Sequence, residues 1–414
     1  MNDKTLNDIP KKMLAWPLFG TGMDKLGKDD KPCEIPVPEI KDDELLVRID
    51  AIGLCFSDVK LIKAGEKHPR VISKDLSTDP VIPGHEAVMT VVKVGKKYSD
   101  RFKAGERYII QADVYYQGKG LAYGYAINGG FAQYSVIDKR VIEGDECCYL
   151  LPLADSIPSA VAAMIEPWTC VIASYRIEKR KTPLKGGKML IAGLPSDSEK
   201  YSAGKLLETN PPSEIYLLDI PEQAVSQILE KLSNSKVIRL QSVQEAATKE
   251  YDDIFLCNMG SEKEKAEKIA TLGSKNALIS FVGKYKSEMW SFDVGAIHYK
   301  GWLYQGADST NLSDSYGSNI RSQLKSGGAC WLVGGAGAMG QMHTQLAVEM
   351  ANGPSRILVS DMDDMRIENV KKLLSETVRK KGIVFETLNP KHFSSPTEFT
   401  EKVAKFAEKT GGFD

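Results

Sequence analysis

The 414-residue chain has no apolar run near the ~18 residues that a membrane-crossing helix needs. Its opening, Met1-Asn2-Asp3-Lys4, carries no apolar core of the kind a secretory leader requires. A cytoplasmic location is therefore the expectation, with no membrane partner. An excess of one charge is also missing. Fifty-four basic residues stand against 55 acidic ones, for a net charge of −1, which leaves no electrostatic footprint for nucleic acid. The densest basic run, Arg176 to Lys181, is interrupted by Glu178 and reads as a solvated helix face. Cysteine is sparse. Seven residues, Cys33, Cys55, Cys147, Cys148, Cys170, Cys257 and Cys330, are an odd number scattered along the chain, which argues against a secreted disulfide framework and for reduced thiols. Adjacent Cys147 and Cys148 make a poor bridge and read as two small buried residues.

What is present is the balance of an ordinary globular protein, 42% hydrophobic and 26% charged, long enough for two or three domains. One stretch organises the rest. It begins Gly53-Leu54-Cys55-Phe56-Ser57-Asp58 and closes with Pro83-Gly84-His85-Glu86. A thiolate, an imidazole and a carboxylate form a ligand set that four-coordinate Zn²⁺ accepts, with one position left for water or substrate. Glu166, in Ile165-Glu166-Pro167, competes with Glu86 for the third place. Neighbours on a regular strand point to opposite faces, so His85 and Glu86 share a metal only through an irregular loop, which Pro83-Gly84 permits. Asp58 is placed to orient a ligating imidazole, or equally to cap a turn. Ser57, two residues after Cys55, can bring its hydroxyl to the reacting oxygen and pass on a proton.

Strand patterns surround this stretch. Glu44–Gly53, Ala87–Gly95 and Phe102–Ile110 are short β-rich runs punctuated by glycine, which predicts a small β-barrel for the first ~165 residues. Near Ile165 the pattern changes to strands alternating with helices, the signature of a parallel sheet covered on both faces. Strands are predicted at Lys188–Gly193, Glu214–Ile220, Lys236–Leu240, Tyr251–Asn258, Asn276–Gly283 and Gly301–Gly306. The alternation restarts at Ala329–Val333, Arg356–Asp361 and Gly382–Phe385, a weak internal repeat. In the second copy Gly411-Gly412-Phe413-Asp414 reaches the point where the first copy enters its next strand, so the expectation is a fragment whose natural product continues.

Gly335-Ala336-Gly337-Ala338-Met339-Gly340 follows a predicted strand and precedes a helical stretch from Gln341 to Ala351. Glycines there allow a tight turn and close approach of backbone N–H groups to a pyrophosphate at a helix N-terminus. Asp361 ends the next strand, where a carboxylate accepts hydrogen bonds from the adenosine ribose and repels a 2′-phosphate, so NAD(H) is favoured over NADP(H). The first copy's turn, Gly193-Leu194-Pro195-Ser196-Asp197-Ser198-Glu199, keeps one glycine and sets two carboxylates where a pyrophosphate would lie. Asp219 ends its second strand, but a ribose anchor without a phosphate cradle is poor support. That copy reads as having the sheet and not the cofactor.

Gly53-Leu54-Cys55-Phe56-Ser57-Asp58, Gly84-His85-Glu86, Val94-Gly95, Gly105-Glu106-Arg107 and Glu166-Pro167 together resemble the zinc-dependent medium-chain alcohol and polyol dehydrogenases. Their GroES-like domain is similar to residues 1 to about 170. More narrowly, Gly65–Arg70, Asp79-Pro80-Val81, Tyr116-Gln117-Gly118, Tyr123-Gly124-Tyr125 and Gly129-Gly130 resemble the L-sorbose-1-phosphate reductase branch. The resemblance implies that Cys55, His85 and a glutamate hold one catalytic zinc, that Ser57 serves a proton relay, and that the protein is a dimer or tetramer. The segment Gln111–Gly130 lacks the four cysteines of the structural zinc found in many members, so none is expected. A second departure is the pair of Rossmann-like units.

The sequence thus predicts a GroES-like β-barrel over 1–170, a Rossmann-like unit with a degenerate glycine loop over 171–325, and a Rossmann dinucleotide-binding unit over 326–414. The expected activity is zinc-dependent hydride transfer between NAD(H) and a polyol or ketose, with Ser57 and Asp58 in catalysis. Cofactor contacts are expected at Gly335, Gly337, Ala338, Met339, Gly340 and Asp361. Lys67, His68 and Arg70 form a cationic loop suited to a sugar phosphate, or merely a solvated loop. The alternatives are an NAD-dependent oxidoreductase of unphosphorylated alcohols or aldehydes, and a non-catalytic dinucleotide sensor.

Overall fold

Leu45 to Gly53 is dense in apolar and β-branched side chains, and it forms the long strand on which the first part of the chain is built. The computed structural model describes residues 9–285, 290–317 and 323–414, so the reading of Met1 to Lys4 lies outside it. The chain divides into two units, one made of everything up to Ser174 together with Leu324–Asp414, the other of Tyr175–Gln323.

In the first unit β1 (Lys12–Ala15) and β2 (Cys33–Pro36) pair as a hairpin. They are followed by β3 (Leu45–Gly53), α1 (Phe56–Ala64), β4 (Glu86–Val94), β5 (Arg107–Ile110), β6 (Asp113–Tyr116), β7 (Lys119–Ala122), β8 (Tyr134–Ile137), α2 (Lys139–Ile142), β9 (Leu150–Pro152), α3 (Ser159–Ala162) and α4 (Ile165–Ser174). Five strands make an antiparallel sheet in the order β8-β3-β4-β5-β9, and β6 pairs with β7. Two register shifts, between Leu46 and Val47 and between Ile49 and Ala51, interrupt the β3–β4 ladder and bend β3. Leu45, Val47, Met89, Val91, Tyr108 and Tyr123 meet in its core. Cys148 packs only partly against this core and Cys147 is exposed, which corrects the expectation of two buried thiols. The cause is local, because both lie in the bend before β9 and not on an element with an inward face.

The second unit alternates β10 (Lys188–Ala192), α5 (Gly204–Thr209), β11 (Glu214–Leu218), α6 (Glu222–Lys231), β12 (Lys236–Leu240), α7 (Val243–Ala246), β13 (Tyr251–Cys257), α8 (Lys263–Ile269), β14 (Gly273–Val282), α9 (Val294–Tyr299) and β15 (Leu303–Ala307). All neighbours are parallel, in the order β12-β11-β10-β13-β14-β15. Met189 and Ile191 enter one core and Leu190 and Ala192 another, so the sheet is buried on both faces. The basic run at 176–181 is not a helix, since α4 ends at Ser174. Lys179 Nζ donates to Gly301 O at 2.8 Å, and Arg180 pairs with the buried carboxylate of Asp253 at 2.9 Å. The buried carboxylate of Asp253 on β13 and the carbonyl of Gly301 therefore fix a segment that its own composition marked as solvated.

In the rest of the first unit, β16 (Ala329–Val333), α10 (Ala338–Glu349), β17 (Arg356–Ser360), α11 (Asp364–Lys381), β18 (Val384–Leu388) and α12 (Pro396–Ala407) form a parallel sheet of order β16-β17-β18 with its helices. Asp363 caps α11 by accepting from Met365 N and Arg366 N, and Gly382, at φ 64°, ends it. Ala338 rather than Gln341 begins α10, because Gly337 already serves as its N-cap. α10 packs on α4. Asp414 N donates to Ala329 O at 2.9 Å, and Phe413 joins a cluster with Leu358, Val403 and Phe406. β16 has β17 on one side and, among the described residues, no strand on the other.

Ile191 is fully buried within the second unit. Ile191→Ala is expected to destabilise that unit by about 2–5 kcal/mol, read as an earlier urea unfolding transition.

Candidate active site

Cys55 is the N-cap of α1, and its side chain accepts the backbone N–H of Asp58. The Asp58 carboxylate answers in two directions. Its Oδ2 accepts Cys55 N–H at 3.0 Å, and its Oδ1 lies 3.1 Å from His85 Nδ1. Asp58 is only 3% exposed, so both bonds run in a low-dielectric environment. With Nδ1 engaged by a carboxylate, His85 presents Nε2, the arrangement that orients a ligating imidazole.

β4 begins at Glu86, so His85 belongs to the preceding loop and the two side chains escape strand alternation. Gly84 makes that loop feasible: its φ is 96°, and a Cβ there would lie 2.4 Å from a Phe131 ring carbon. Gly53, paired with Glu86 across β3 and β4, clears the space the carboxylate fills; a Cβ would fall 1.9 Å from Glu86 Oε2. One donor atom each from Cys55, His85 and Glu86 lies within 4.8 Å of the others. Glu166, on α4, stands beside this trio: its charge bears on Glu86, and its Oε1 is 3.7 Å from Cys170 Sγ.

Electrostatics shows what the cluster lacks. Burial lowers the His85 pKa, but hydrogen bonds and charges from Asp58 and Cys55 outweigh it and push the imidazole up to about 10. Burial raises Glu86 and Glu166, against the opposing pull of His85. Burial and then Glu166 push the Cys170 thiol up to about 11. The cluster is short of positive charge, and a divalent cation would supply it through donors of the right chemistry.

Around the trio, Ser57 hydrogen-bonds Tyr125, whose phenol is raised by burial and then by the charges of Asp58 and Cys55. The Tyr125 ring lies 5.9 Å from His85 and 5.0 Å from His68. Arg70 stands over Tyr125 at 6.0 Å and is ion-paired with Asp113. Burial, then Arg70 and Lys60, lower the His68 pKa. Asp113 and Lys60 carry no distinguishing signal in the sequence, because only the fold brings them here; Tyr125 stands in the Tyr123-Gly124-Tyr125 motif of the resemblance, which gives it no role of its own.

The glycine turn between β16 and α10 divides its work. A Cβ on Gly340 would sit 2.0 Å from Gly334 O, and one on Gly335 would lie 2.8 Å from Leu332 O, so both serve close packing. Gly337 meets nothing nearer than 3.4 Å, which leaves its face open to a phosphate. Ala338 and Met339 open α10, whose first N–H groups are the natural anion donors. Asp361 follows β17 directly, and Gly335 N donates to Ser360 O at 3.2 Å, so carboxylate and turn are neighbours. Arg366 was not anticipated. Its Nη1 lies 3.9 Å from where a Gly337 Cβ would be.

The turn after β10 is filled by the protein itself. Asp197 accepts from Tyr201 OH at 2.7 Å and Glu199 N at 3.0 Å, with Asn258 Nδ2 at 3.4 Å, and Asp219 is neutralised by Lys265 at 2.5 Å.

Residues 41–143 match the alcohol dehydrogenase GroES-like domain. A mannitol-1-phosphate 5-dehydrogenase of Aliivibrio fischeri is 35% identical over 156 residues, 37% of this chain and 36% of that protein. An L-sorbose 1-phosphate reductase of Klebsiella pneumoniae is 34% identical over 158 residues, 37% of each. The uncharacterised protein YggP of Escherichia coli is 35% identical over 147 residues, 35% of this chain and 33% of that protein. The chain thus covers about a third of the length of these curated relatives.

Asp58→Asn is expected to weaken zinc binding about 10–100-fold, measured by competition with a chromogenic chelator. In the metal-free protein the raised His85 pKa contributes stability that is complete below the free-imidazole value of 6.5 and is lost as pH rises toward about 10. Thermal melts of the chelated protein should therefore fall over that window, and Asp58→Asn should flatten the fall.

Proposed function

We infer that this protein is an oxidoreductase of the zinc-type medium-chain dehydrogenase/reductase family, transferring hydride between a nicotinamide dinucleotide and a polyol or the matching ketose; its GroES-like match over residues 41–143 supports that reading. The observation that carries the reading is the convergence of Cys55, His85 and Glu86 within 4.8 Å. A zinc ion bound there supplies Lewis-acid polarisation of the substrate oxygen, and nicotinamide supplies the hydride chemistry.

The chain's own residues do the rest. Cys55 and His85 hold the ion, with Glu86 as third ligand and Glu166 beside it as the exchanging carboxylate. Asp58 fixes the His85 tautomer. Ser57 Oγ, bonded to Tyr125, takes or returns the hydroxyl proton of the substrate. Tyr125, buried beside His85, holds the Ser57 hydroxyl in place.

The unit at 326–414 is the proposed cofactor site: Gly335, Gly337, Ala338, Met339 and Gly340 cradle the pyrophosphate, and Asp361 accepts from the ribose, which favours NAD(H). Packing of α10 on α4, the helix that bears Glu166, supports that choice. The self-filled turn at Asp197 supports assigning no nucleotide to residues 175–323. A sugar phosphate is the proposed form of the substrate, because His68 and Arg70, on the loop that also carries Lys67, approach the Tyr125 ring and two of the relatives are named for phosphorylated sugars or polyols.

Metal analysis together with NADH oxidation by a ketose panel tests the reading. Cys55→Ser should remove zinc and turnover together; full rates in metal-free protein would overturn it. Glu86→Gln should lower zinc content, whereas Glu166→Gln should lower kcat more than it lowers metal content.

A further inference from the structure

Arg70 and Asp113 are ion-paired near the cluster of Cys55, His85 and Glu86, with side-chain exposures of 42% and 53%. They come from different segments, Arg70 from the turn after α1 and Asp113 from β6. Arg70 lies over Tyr125, which touches both Ser57 and His85. Asp113, the first residue of β6, is close enough to α4 for its charge to bear on Glu166 and Cys170. Lys60 is near enough to act on His68 together with Arg70, so a second cation shares this corner.

An ion pair this exposed is held weakly, because water competes for both charges. A phosphomonoester is the stronger partner for a guanidinium: it offers parallel oxygens to the planar fork and a second charge that a neighbouring ammonium can share. A neutral hydroxyl has no such advantage over a carboxylate. The location bears on the choice too, since a substrate whose reacting carbon is at Ser57 and that extends past Tyr125 reaches Arg70.

We propose that Arg70 anchors the phosphate at the substrate end remote from the metal and that Asp113 is its latch, holding the guanidinium until a phosphomonoester displaces it. Asp113 thereby sets specificity by excluding weaker anions. The reaction at the other end rests on the dehydrogenase reading above, but the latch itself is a binding property of this chain.

Calorimetric titration of the full chain with a ketose 1-phosphate, the free ketose and inorganic phosphate tests it. Asp113→Asn is expected to tighten ketose-phosphate binding about tenfold, the scale of one charge-assisted hydrogen bond, while free-ketose binding stays within about twofold. Arg70→Ala should weaken the phosphorylated ligand by about tenfold or more, and Arg70→Lys should recover part of the loss. Unchanged or weaker ketose-phosphate binding by Asp113→Asn overturns the latch. So does a parallel shift of free and phosphorylated sugars, which would assign the pair to hydroxyl recognition. Inorganic phosphate binding as tightly as the ketose phosphate also overturns the proposal, because the site would then hold an anion and not a substrate end. Absence of zinc or turnover with these shifts intact would refute the dehydrogenase reading and leave the latch standing.

Discussion

The Asp58 carboxylate is the constraint on which the site depends. One oxygen fixes the start of α1 through Cys55 N–H and the other holds the His85 ring, so a single buried group sets the position of two of the three donors. A buried carboxylate without such partners would be costly, and here both oxygens are used. The same residue caps a helix and orients an imidazole. The two roles that its place in the sequence left open are therefore compatible, and the capping geometry is what brings the carboxylate to His85.

The third donor depends on absence of bulk. Gly53 gives Glu86 its room, and Gly84 turns the chain so that adjacent His85 and Glu86 face one point. Backbone and carboxylate approach there more closely than any Cβ would allow. The glycine turn at 335–340 uses the same device for another purpose, since two of its glycines are spent on packing and one leaves its face open. In both places a missing side chain creates the chemistry that a neighbouring one performs.

Two parallel sheets of similar design meet different fates. After β16 the face of Gly337 stays open, whereas after β10 Asp197 accepts hydrogen bonds from Tyr201, Asn258 and the Glu199 amide. Lys265 then neutralises Asp219, so the carboxylates that follow β10 and β11 are both engaged within the protein. A doubly wound sheet is a scaffold whose function lives in its loops, and here loop chemistry separates the two copies.

Strand positions were legible because apolar alternation and glycine punctuation are local: β12 and β16 span the predicted residues, and β10, β11, β13 and β17 differ from them only at their last residues. The convergence of Cys55, His85 and Glu86 was legible for the same reason, since they lie in two short segments whose side chains are of metal-donor type. Local pattern does not carry partners that arrive from far along the chain. Asp253 draws Arg180 out of a run that reads as solvated, Asp113 meets Arg70 from another strand, and Tyr125 comes to Ser57 from beyond β7. The amino-acid sequence by itself determined which donors exist and which elements carry them. Only the tertiary structure decided which of these side chains meet, because each such pairing joins two segments far apart in sequence, held together by packing that neither encodes alone.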